Sequence, residues 1–128
     1  MKPTVIHIRA SNFFGGPERQ IINHINASKK FRHLLVTFLE GHSSNELYER
    51  AVKAGVYTRL IRARNAFDPT IIMSMRHIFK DQKPHVICSH GYKPSVIALL
   101  AKVGLGIPLI IFSRGHTNEN FKVPYVSG

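Results

Sequence analysis

Three short segments of the sequence combine glycine, histidine and cationic residues at spacings that suit a binding site. The first covers residues 10–19 and ends in Gly15-Gly16-Pro17-Glu18-Arg19. Paired glycines let the backbone turn tightly and let a ligand approach it closely. A helix that begins behind them presents N–H groups and the positive end of its dipole, which suits an anion. The segment has neither a dinucleotide fingerprint nor a P-loop, which argues against NAD binding and simple ATPase chemistry.

The other two segments are Ser89-His90-Gly91-Tyr92-Lys93-Pro94-Ser95 and Ser113-Arg114-Gly115-His116-Thr117. In the last segment, Arg114 can bind a phosphate, and His116 can bind a sugar hydroxyl or transfer a proton. Taken alone, each of the three segments is also compatible with an ordinary turn or polar loop. If all of them lie at one edge of one sheet, they favour a composite polar site.

The elements that must position these segments alternate between short apolar strands and longer helices. The predicted strands cover residues 5–8, 34–38, 56–61, 85–88 and 108–112, and the predicted helices begin at Pro17, Asn45, Asp68 and Pro94. This alternation predicts an α/β fold, a Rossmann-like open parallel sheet of order 3-2-1-4-5 with helices on both faces. Ligands bind such sheets beyond the carboxyl ends of the strands, here between strands 1 and 4.

Two features of the last third of the chain add to this prediction. The helix from Pro94 is apolar almost all round, so we expect it to be well buried. After Ser113 the apolar periodicity stops, and no further element is predicted.

The charge is strongly positive. Eighteen Lys and Arg against seven Asp and Glu give a net charge of +11, which favours anionic partners such as nucleic acid, phospholipid or a phosphorylated substrate. The basic residues are scattered, apart from one cluster at Lys29-Lys30-Phe31-Arg32. Because nucleic-acid modules more often concentrate charge and aromatic residues together, nucleic acid is the less favoured partner.

Other protein classes are excluded or disfavoured by composition. No apolar run reaches the roughly 20 residues of a membrane span, and the start of the chain shows no signal-peptide pattern. Cys88 is the only cysteine, which excludes an internal disulfide and fits a reducing cytoplasmic setting. We interpret it as a core residue of its apolar strand rather than as a nucleophile.

Several site chemistries lack the residues that they need. Only Glu18 and Glu119 lie near the three segments, so a catalytic carboxylate pair is not expected. His90 and His116 have no evident third ligand, so we predict no metal site. The remaining histidines are interpreted as dispersed structural or surface residues: His7, His24, His33, His42, His77 and His85.

Together the motifs resemble a known family. Val5-Ile-His-Ile-Arg followed by Gly15-Gly-Pro-Glu-Arg-Gln-Ile-Ile-Asn23 resembles the opening of the GT-B glycosyltransferases of family 4. Residues 84–93, Gly106-Ile-Pro108 and the strand ending in residues 113–116 match the middle of the same family in order and spacing. The resemblance covers nearly all of residues 4–123.

The resemblance implies a retaining enzyme that moves a sugar from a nucleotide-diphosphate donor to an acceptor. Such acceptors include lipid-linked saccharides, phosphoinositides and lipopolysaccharide cores. The fold would be the N-terminal half of a GT-B fold, in which two Rossmann-like domains face a cleft and the first mainly binds acceptor. No metal and no cofactor are implied, since the nucleotide sugar is a substrate.

The resemblance also implies roles for particular residues. Gly15 and Gly16 would lie against the donor diphosphate or the acceptor, and His116 would face the donor sugar as the catalytic residue. His90 and Arg114 would lie close to the substrates. The remaining predicted substrate-binding residues are Arg19, Gly91, Tyr92 and Lys93.

One departure from the family pattern concerns the second domain, which carries a pair of Glu separated by seven residues in relatives. Residues 1–128 are therefore predicted to be a single acceptor-side domain that lacks its C-terminal donor-binding domain. We expect the intact parent to be an enzyme and this chain alone to be inactive, because one half cannot close a cleft.

We expect a cytoplasmic location, with peripheral attachment to anionic lipid on the inner face of the membrane as an extension of the charge argument. Two alternatives stay open. One is a stand-alone module that binds a partner, such as a separate chain supplying the missing half. The other is a basic nucleic-acid-binding domain.

Overall fold

One sheet of six strands organises the chain in the computed structural model, which describes residues 2–10, 14–40, 44–64, 68–112 and 122–126. The strands are β1 (Thr4–Arg9), β2 (Arg32–Glu40), β3 (Thr58–Ala63), β4 (Val86–His90), β5 (Leu109–Phe112) and β6 (Lys122–Val126). Their order is β3-β2-β1-β4-β5-β6. Strands β1 to β5 are parallel, which confirms the predicted order 3-2-1-4-5.

Strand β6 was not predicted, and the expectation that no element follows Ser113 is therefore wrong. It pairs antiparallel with β5 at the edge of the sheet. The segment contains Pro124, which a sequence reading counts against a strand but which an edge strand tolerates. Its pairing depends on backbone hydrogen bonds to β5, which side-chain periodicity does not encode.

The helices are α1 (Gly16–Ala27), α2 (Glu46–Lys53), α3 (Thr70–Gln82) and α4 (Tyr92–Ala101). Asn45 caps α2 as predicted, because its Oδ1 accepts a hydrogen bond from the Tyr48 N–H at 2.8 Å. At the start of α3, Asp68 Oδ1 accepts from the Thr70 N–H at 3.0 Å while Pro69 occupies the cap position. Helix α4 begins two residues before Pro94.

The two faces of the sheet differ in chemistry. The face that carries α3 and α4 holds the larger apolar core, which includes Ile6 and Ile8 of β1. The opposite face carries α1 and α2 over a smaller apolar cluster. On that second face β1 presents His7 and Arg9, which contact residues of α1. His7 and Arg9 of the central strand therefore lie on the face opposite to Ile6 and Ile8.

The outer side of α4 departs from the prediction of a well-buried helix. Ile97, Ala98 and Ala101 are buried against the core, but a second apolar row faces outward with exposed fractions between 37% and 60%. This row, called the α4 stripe below, consists of Val96, Leu99 and Leu100 of α4 together with Val103, two residues beyond its end. An apolar helix is buried only where another element covers it, and composition does not say which sides are covered.

Strand β3 forms one edge of the sheet and carries both buried apolar and exposed charged residues. Ile61 and Ala63 are buried, whereas Arg59 and Arg62 are exposed. Charged side chains on an edge strand discourage pairing with another chain.

Candidate functional site

The candidate site lies at the carboxyl ends of β1 and β4, where the strand order reverses. In the register of this pair, Arg9 at the end of β1 lies opposite His90 at the end of β4. The segment after β4 leads directly into α4, and the segment after β1 leads into α1. Two of the three predicted segments therefore meet at this edge.

A buried ion pair holds the two segments together. Arg9 Nε donates to Glu18 Oε2 at 2.9 Å, and both side chains are buried. Glu18 Oε1 accepts from the Gly15 N–H at 3.0 Å, which caps α1. Arg9 Nη1 also donates to the His90 carbonyl at 3.4 Å. One guanidinium thus connects the start of α1 to the end of β4.

Arg9 was missed by the sequence reasoning, and Glu18 was interpreted only as a partner of the helix dipole. The available signal was an arginine that ends an apolar strand, nine residues before an acid in the first turn of a helix. The carboxylate balances the Arg9 charge and also accepts a hydrogen bond at the positive end of α1. A ligand at this edge therefore meets a neutral pair rather than a free cation.

The paired glycines do not serve the tight turn that the sequence suggested. Gly15 has φ −118° and ψ −160°, an extended conformation open to any residue. Gly16 begins α1, and a Cβ added there would have nothing within 4 Å. Gly16 therefore faces open space, and its small size leaves room for a ligand beside the first turn.

Gly91, by contrast, has a conformation that requires glycine. Its φ of +109° and ψ of 174° lie in a region that side chains exclude. Its N–H donates to the Phe112 carbonyl at 3.0 Å, and its own carbonyl accepts from the Ser95 hydroxyl. These contacts direct the backbone into α4 and leave the following Tyr92 85% exposed. Lys93 is partly buried beside it.

Arg19 contacts an aromatic ring. Its guanidinium carbon is 5.1 Å from the centre of the Phe14 ring, and that of Arg50 from α2 is 4.8 Å from the same ring. Both distances are within cation–π range. The structure thus assigns Arg19 a contact with Phe14, and Phe14 and Arg50 are further residues that the sequence reasoning did not single out.

A row of three imidazoles runs along the α1 face of the sheet from His90 towards the amino end of β2. His7 Nδ1 lies 3.4 Å from His90 Nε2, and His7 Nε2 lies 3.0 Å from His33 Nδ1. His24 of α1 packs edge-on against both His7 and His33. The interpretation of His7, His24 and His33 as dispersed is therefore wrong. Strand pairing brought them together across 26 and 83 residues of sequence, a separation that no local pattern reveals.

Burial keeps this histidine row neutral. Burial, with added repulsion from His90, His33 and His24, lowers the pKa of His7 to about 3. Burial, followed by the charges of Arg9 and His24, lowers the pKa of His90 to about 4. Burial and His24 also lower the pKa of His33. Near neutral pH, His90 is therefore a neutral hydrogen-bonding group and not an anion-binding cation.

The ring nitrogen that carries the proton in each histidine of the row can be assigned from His33, the residue at the end of the row away from His90. His33 Nε2 is buried without a hydrogen-bond partner among the described residues. Because a buried N–H without an acceptor is rarer than an unpaired lone pair, we assign the His33 proton to Nδ1. His33 then donates to His7, and His7 donates to His90. This assignment leaves the proton of His90 on Nδ1.

Part of the predicted site lies outside the described residues, namely Arg114 and His116 with the rest of the third segment, and also Glu119. Cys88 is buried, and burial raises the pKa of its thiol to about 11, which agrees with a core role. Over the described ranges, no three His, Cys, Asp or Glu side chains are grouped so that they could hold a metal ion. Nor does any helix in those ranges have the length and apolar character that crossing a membrane requires.

Comparison with known proteins decides the family. The sequence profile described as Glycosyltransferase Family 4 matches residues 14–126. The chain belongs to glycosyltransferase family 4. Comparison of this family 4 chain with curated proteins gave no significant match.

A solved structure supports the fold of the family 4 chain. It is described as a putative UDP-N-acetylglucosamine 2-epimerase from Listeria monocytogenes, and the two chains share 12% sequence identity with a TM-score of 0.58. The match covers 85% of the present chain and 29% of the epimerase. At this identity the likeness shows the fold alone, which is that of a Rossmann-like half of a GT-B protein. The family 4 chain spans less than a third of that structure's length.

Proposed function

We propose that this chain is the N-terminal, mainly acceptor-binding domain of a retaining glycosyltransferase. The complete enzyme would move a sugar from a nucleotide-diphosphate donor to a saccharide or lipid-linked acceptor. The observation that carries the proposal is the Arg9–Glu18 pair, which joins the segments after β1 and β4 at the switch point of a family 4 chain. This is the edge where open parallel sheets bind their ligands.

Each of the described residues at this edge would have a different role in binding. The open space beside Gly16 would admit a phosphate or a sugar ring close to the backbone of α1. Neutral His90 would exchange hydrogen bonds with substrate hydroxyls, while Tyr92 and Lys93 at the start of α4 would contact the acceptor. Gly91 would shape the segment that carries them. Arg19 would act at the rim, from its position on Phe14.

His116 and Arg114 complete the proposal on the strength of the family resemblance. His116 would face the donor sugar across the cleft, and Arg114 would bind near the phosphates. No metal or cofactor is part of this proposal. Turnover would require the donor-binding half, because a single half leaves the transition state in water. We therefore expect the chain alone to bind substrates without transferring sugar.

The test uses substitutions at Gly16. A side chain there meets no neighbour, so Gly16→Val should fold normally while filling the ligand space. Gln20→Val, an exposed substitution one turn later on α1, is the matched control. Amide shifts in NMR spectra would be followed during titration with nucleotide sugars and with saccharide and lipid-linked acceptors.

The proposal predicts shifts at Gly15, Gly16 and Gly91 in the unmodified chain and in the Gln20→Val variant. Gly16→Val should weaken the same binding by about tenfold or more, which corresponds to about 1.4 kcal/mol. Absence of any shift at these amides with every donor and acceptor would overturn it, as would equal binding by both variants.

A second candidate function, a module that binds a partner chain supplying a donor-binding half, is favoured by the α4 stripe. Its apolar surface is unusual for a helix on the outside of a single domain. The stripe lies on the outer side of α4 rather than at the carboxyl edge of the sheet. This function predicts that donor binding appears only on mixing with a second polypeptide and is lost in Leu100→Lys.

A further inference from the structure

An open depression of about 700 Å³ lies at the amino end of the sheet, opposite the candidate site. Its lining comes from the starts of β1 and β2 and from the connection between α3 and β4. Since β1 has six residues, the two sites are separated by about 20 Å. The lining residues used below are Lys2, Phe31, Arg32, Gln82, Lys83 and His85.

The depression is cationic. Lys2, Arg32 and Lys83 are exposed, and none of its described lining residues is acidic. The nearby Asp81 accepts from Gln82 Nε2 at 2.9 Å and lies 3.9 Å from Arg59. That carboxylate thus has partners outside the three lining cations.

The remaining polar groups reinforce a preference for hydrogen-bond acceptors. His85 Nδ1 accepts from the Thr4 N–H at 3.0 Å, which leaves Nε2 as the donor of the ring. Arg32 Nη2 donates to Gln82 Oε1 at 3.2 Å, which orients the guanidinium at the rim. The lining therefore supplies ammonium, guanidinium and imidazole donors, a combination that matches an anion with several oxygens.

Lys83 adds an independent observation. Its φ of +48° makes it the one non-glycine residue in the left-handed region within the described ranges. It ends α3, and its N–H donates to the Phe79 carbonyl at 3.0 Å. Glycine is the usual residue at such a helix end, and another side chain costs about 1 kcal/mol or more. Strain of this kind persists only where the surrounding structure or a ligand compensates for it.

Phe31 indicates what accompanies the anion. Its ring is 41% exposed beside Arg32 and follows Lys29 and Lys30 in the chain. The depression is far larger than an inorganic phosphate, so there is room for a substituent next to this ring.

We propose that this depression is a second binding site, for a phosphate monoester that carries an apolar or ring-shaped group. The ligand is either a free molecule or the headgroup of a lipid. The site lies outside the transferase cleft, so it does not depend on the function proposed above.

The test compares variants that each lose one positive charge in the full chain. Lys83→Gly and Arg32→Gln alter the depression, and Lys53→Gln on the exposed end of α2 is the control for net charge. The probes are phenyl phosphate, followed by amide shifts, and phosphatidylcholine vesicles with and without phosphatidic acid, followed by sedimentation. Thermal unfolding of each variant reports folding separately.

Shifts at Phe31, Lys83 and His85 with phenyl phosphate would support a soluble ligand, and retention on phosphatidic acid vesicles alone would support a headgroup. In either case Lys83→Gly and Arg32→Gln should each weaken binding by about tenfold. The melting temperature of Lys83→Gly should not be lower than that of the unmodified chain. The control Lys53→Gln should change the binding by less than about twofold. If Lys53→Gln weakened binding as much as the other two variants, the effect would come from net charge alone, and the proposal would be overturned. So would tighter binding of a single-stranded oligonucleotide through the same residues, or no binding of any probe.

Discussion

The two ends of the sheet use positive charge in opposite ways. At the carboxyl end, Arg9 is buried and paired with Glu18, and its contacts hold two segments in place. At the amino end, Lys2 and Lys83 are exposed in a depression whose described lining contains no acid. The net charge of +11 therefore does not describe one uniform field. One part of it positions the backbone, and another part remains accessible to a ligand.

The largest expected effect comes from breaking the carboxyl-end pair. Glu18→Ala leaves the buried Arg9 guanidinium without its partner and removes the cap of α1. We expect a loss of about 3–5 kcal/mol in the free energy of unfolding, measured by urea denaturation. The exposed pair Glu46–Arg50, at 3.6 Å, is the control, and Glu46→Ala should cost less than about 1 kcal/mol. Similar losses of unfolding free energy in Glu18→Ala and Glu46→Ala would contradict the description of the first pair as buried and structural and of the second as exposed.

Lowering the pH should have the next largest effect on the free energy of unfolding, because the buried histidine row must be protonated in acid. The row runs from His90 at the carboxyl end of the sheet towards the amino end. His7 and His90 have pKa values of about 3 and about 4 in the fold, against 6.5 when unfolded. The unfolded chain therefore binds more protons between these values, and stability falls as the pH falls through this window. We expect a loss of up to about 3 kcal/mol between pH 6.5 and pH 5.

Urea denaturation across this pH range would measure the loss. The variant His7→Gln should show a shallower dependence on pH than the unmodified chain, whereas the exposed His77→Gln should retain the full slope. An unchanged slope in His7→Gln would contradict the assignment of the effect to the row.

The next largest difference in unfolding free energy is expected between substitutions at two glycines of the carboxyl end, Gly91 and Gly16. Gly91→Ala places a side chain at φ +109° and should cost about 1–3 kcal/mol of unfolding free energy. Gly16→Ala adds a Cβ that meets no neighbour in the first turn of α1, so it should be neutral or stabilising by up to about 1 kcal/mol. Thermal unfolding would distinguish the two, and a large loss in Gly16→Ala would show that the space beside it is not open.

The smallest effect, of opposite sign, is expected at the amino end. Lys83→Gly relieves a left-handed lysine and should stabilise the fold by about 1 kcal/mol in urea denaturation. Lys80→Gly, three residues earlier in the regular part of α3, should destabilise it by about 1 kcal/mol. If both variants lost stability, the charge of Lys83 at the helix end would outweigh its strain.

Most of the fold followed from the sequence because parallel sheets encode their elements locally. Apolar strands separated by capped helices gave the order of five strands, and Asn45 marked the start of α2. Strand β6 and the exposed side of α4 did not follow. Both depend on what lies beside an element, and periodicity reports only that an element has an apolar side.

The candidate site was predictable only in outline. The switch-point rule placed Gly15, Gly16, His90 and Gly91 at one edge without any long-range information. The histidine row was missed because its members are far apart in sequence and meet only through strand pairing. Arg9 was missed although Glu18 lies only nine residues further along the chain, because the ion pair joins a strand to the first turn of the next helix. The expected anion site at α1 stays a prediction, and the sequence did not indicate that the Glu18 carboxylate accepts a hydrogen bond from the Gly15 N–H at this helix end.

The arginines of edge strand β3 have a consequence for handling the protein. Two copies that approached edge to edge would bring Arg59 and Arg62 of each chain together, so repulsion opposes the growth of intermolecular sheets. This protection is electrostatic and has a range of about 8 Å at physiological ionic strength but about 3 Å near 1 M salt. Colloidal stability should therefore decline as salt is added, and concentrated stocks of this strongly basic chain should store best at low ionic strength.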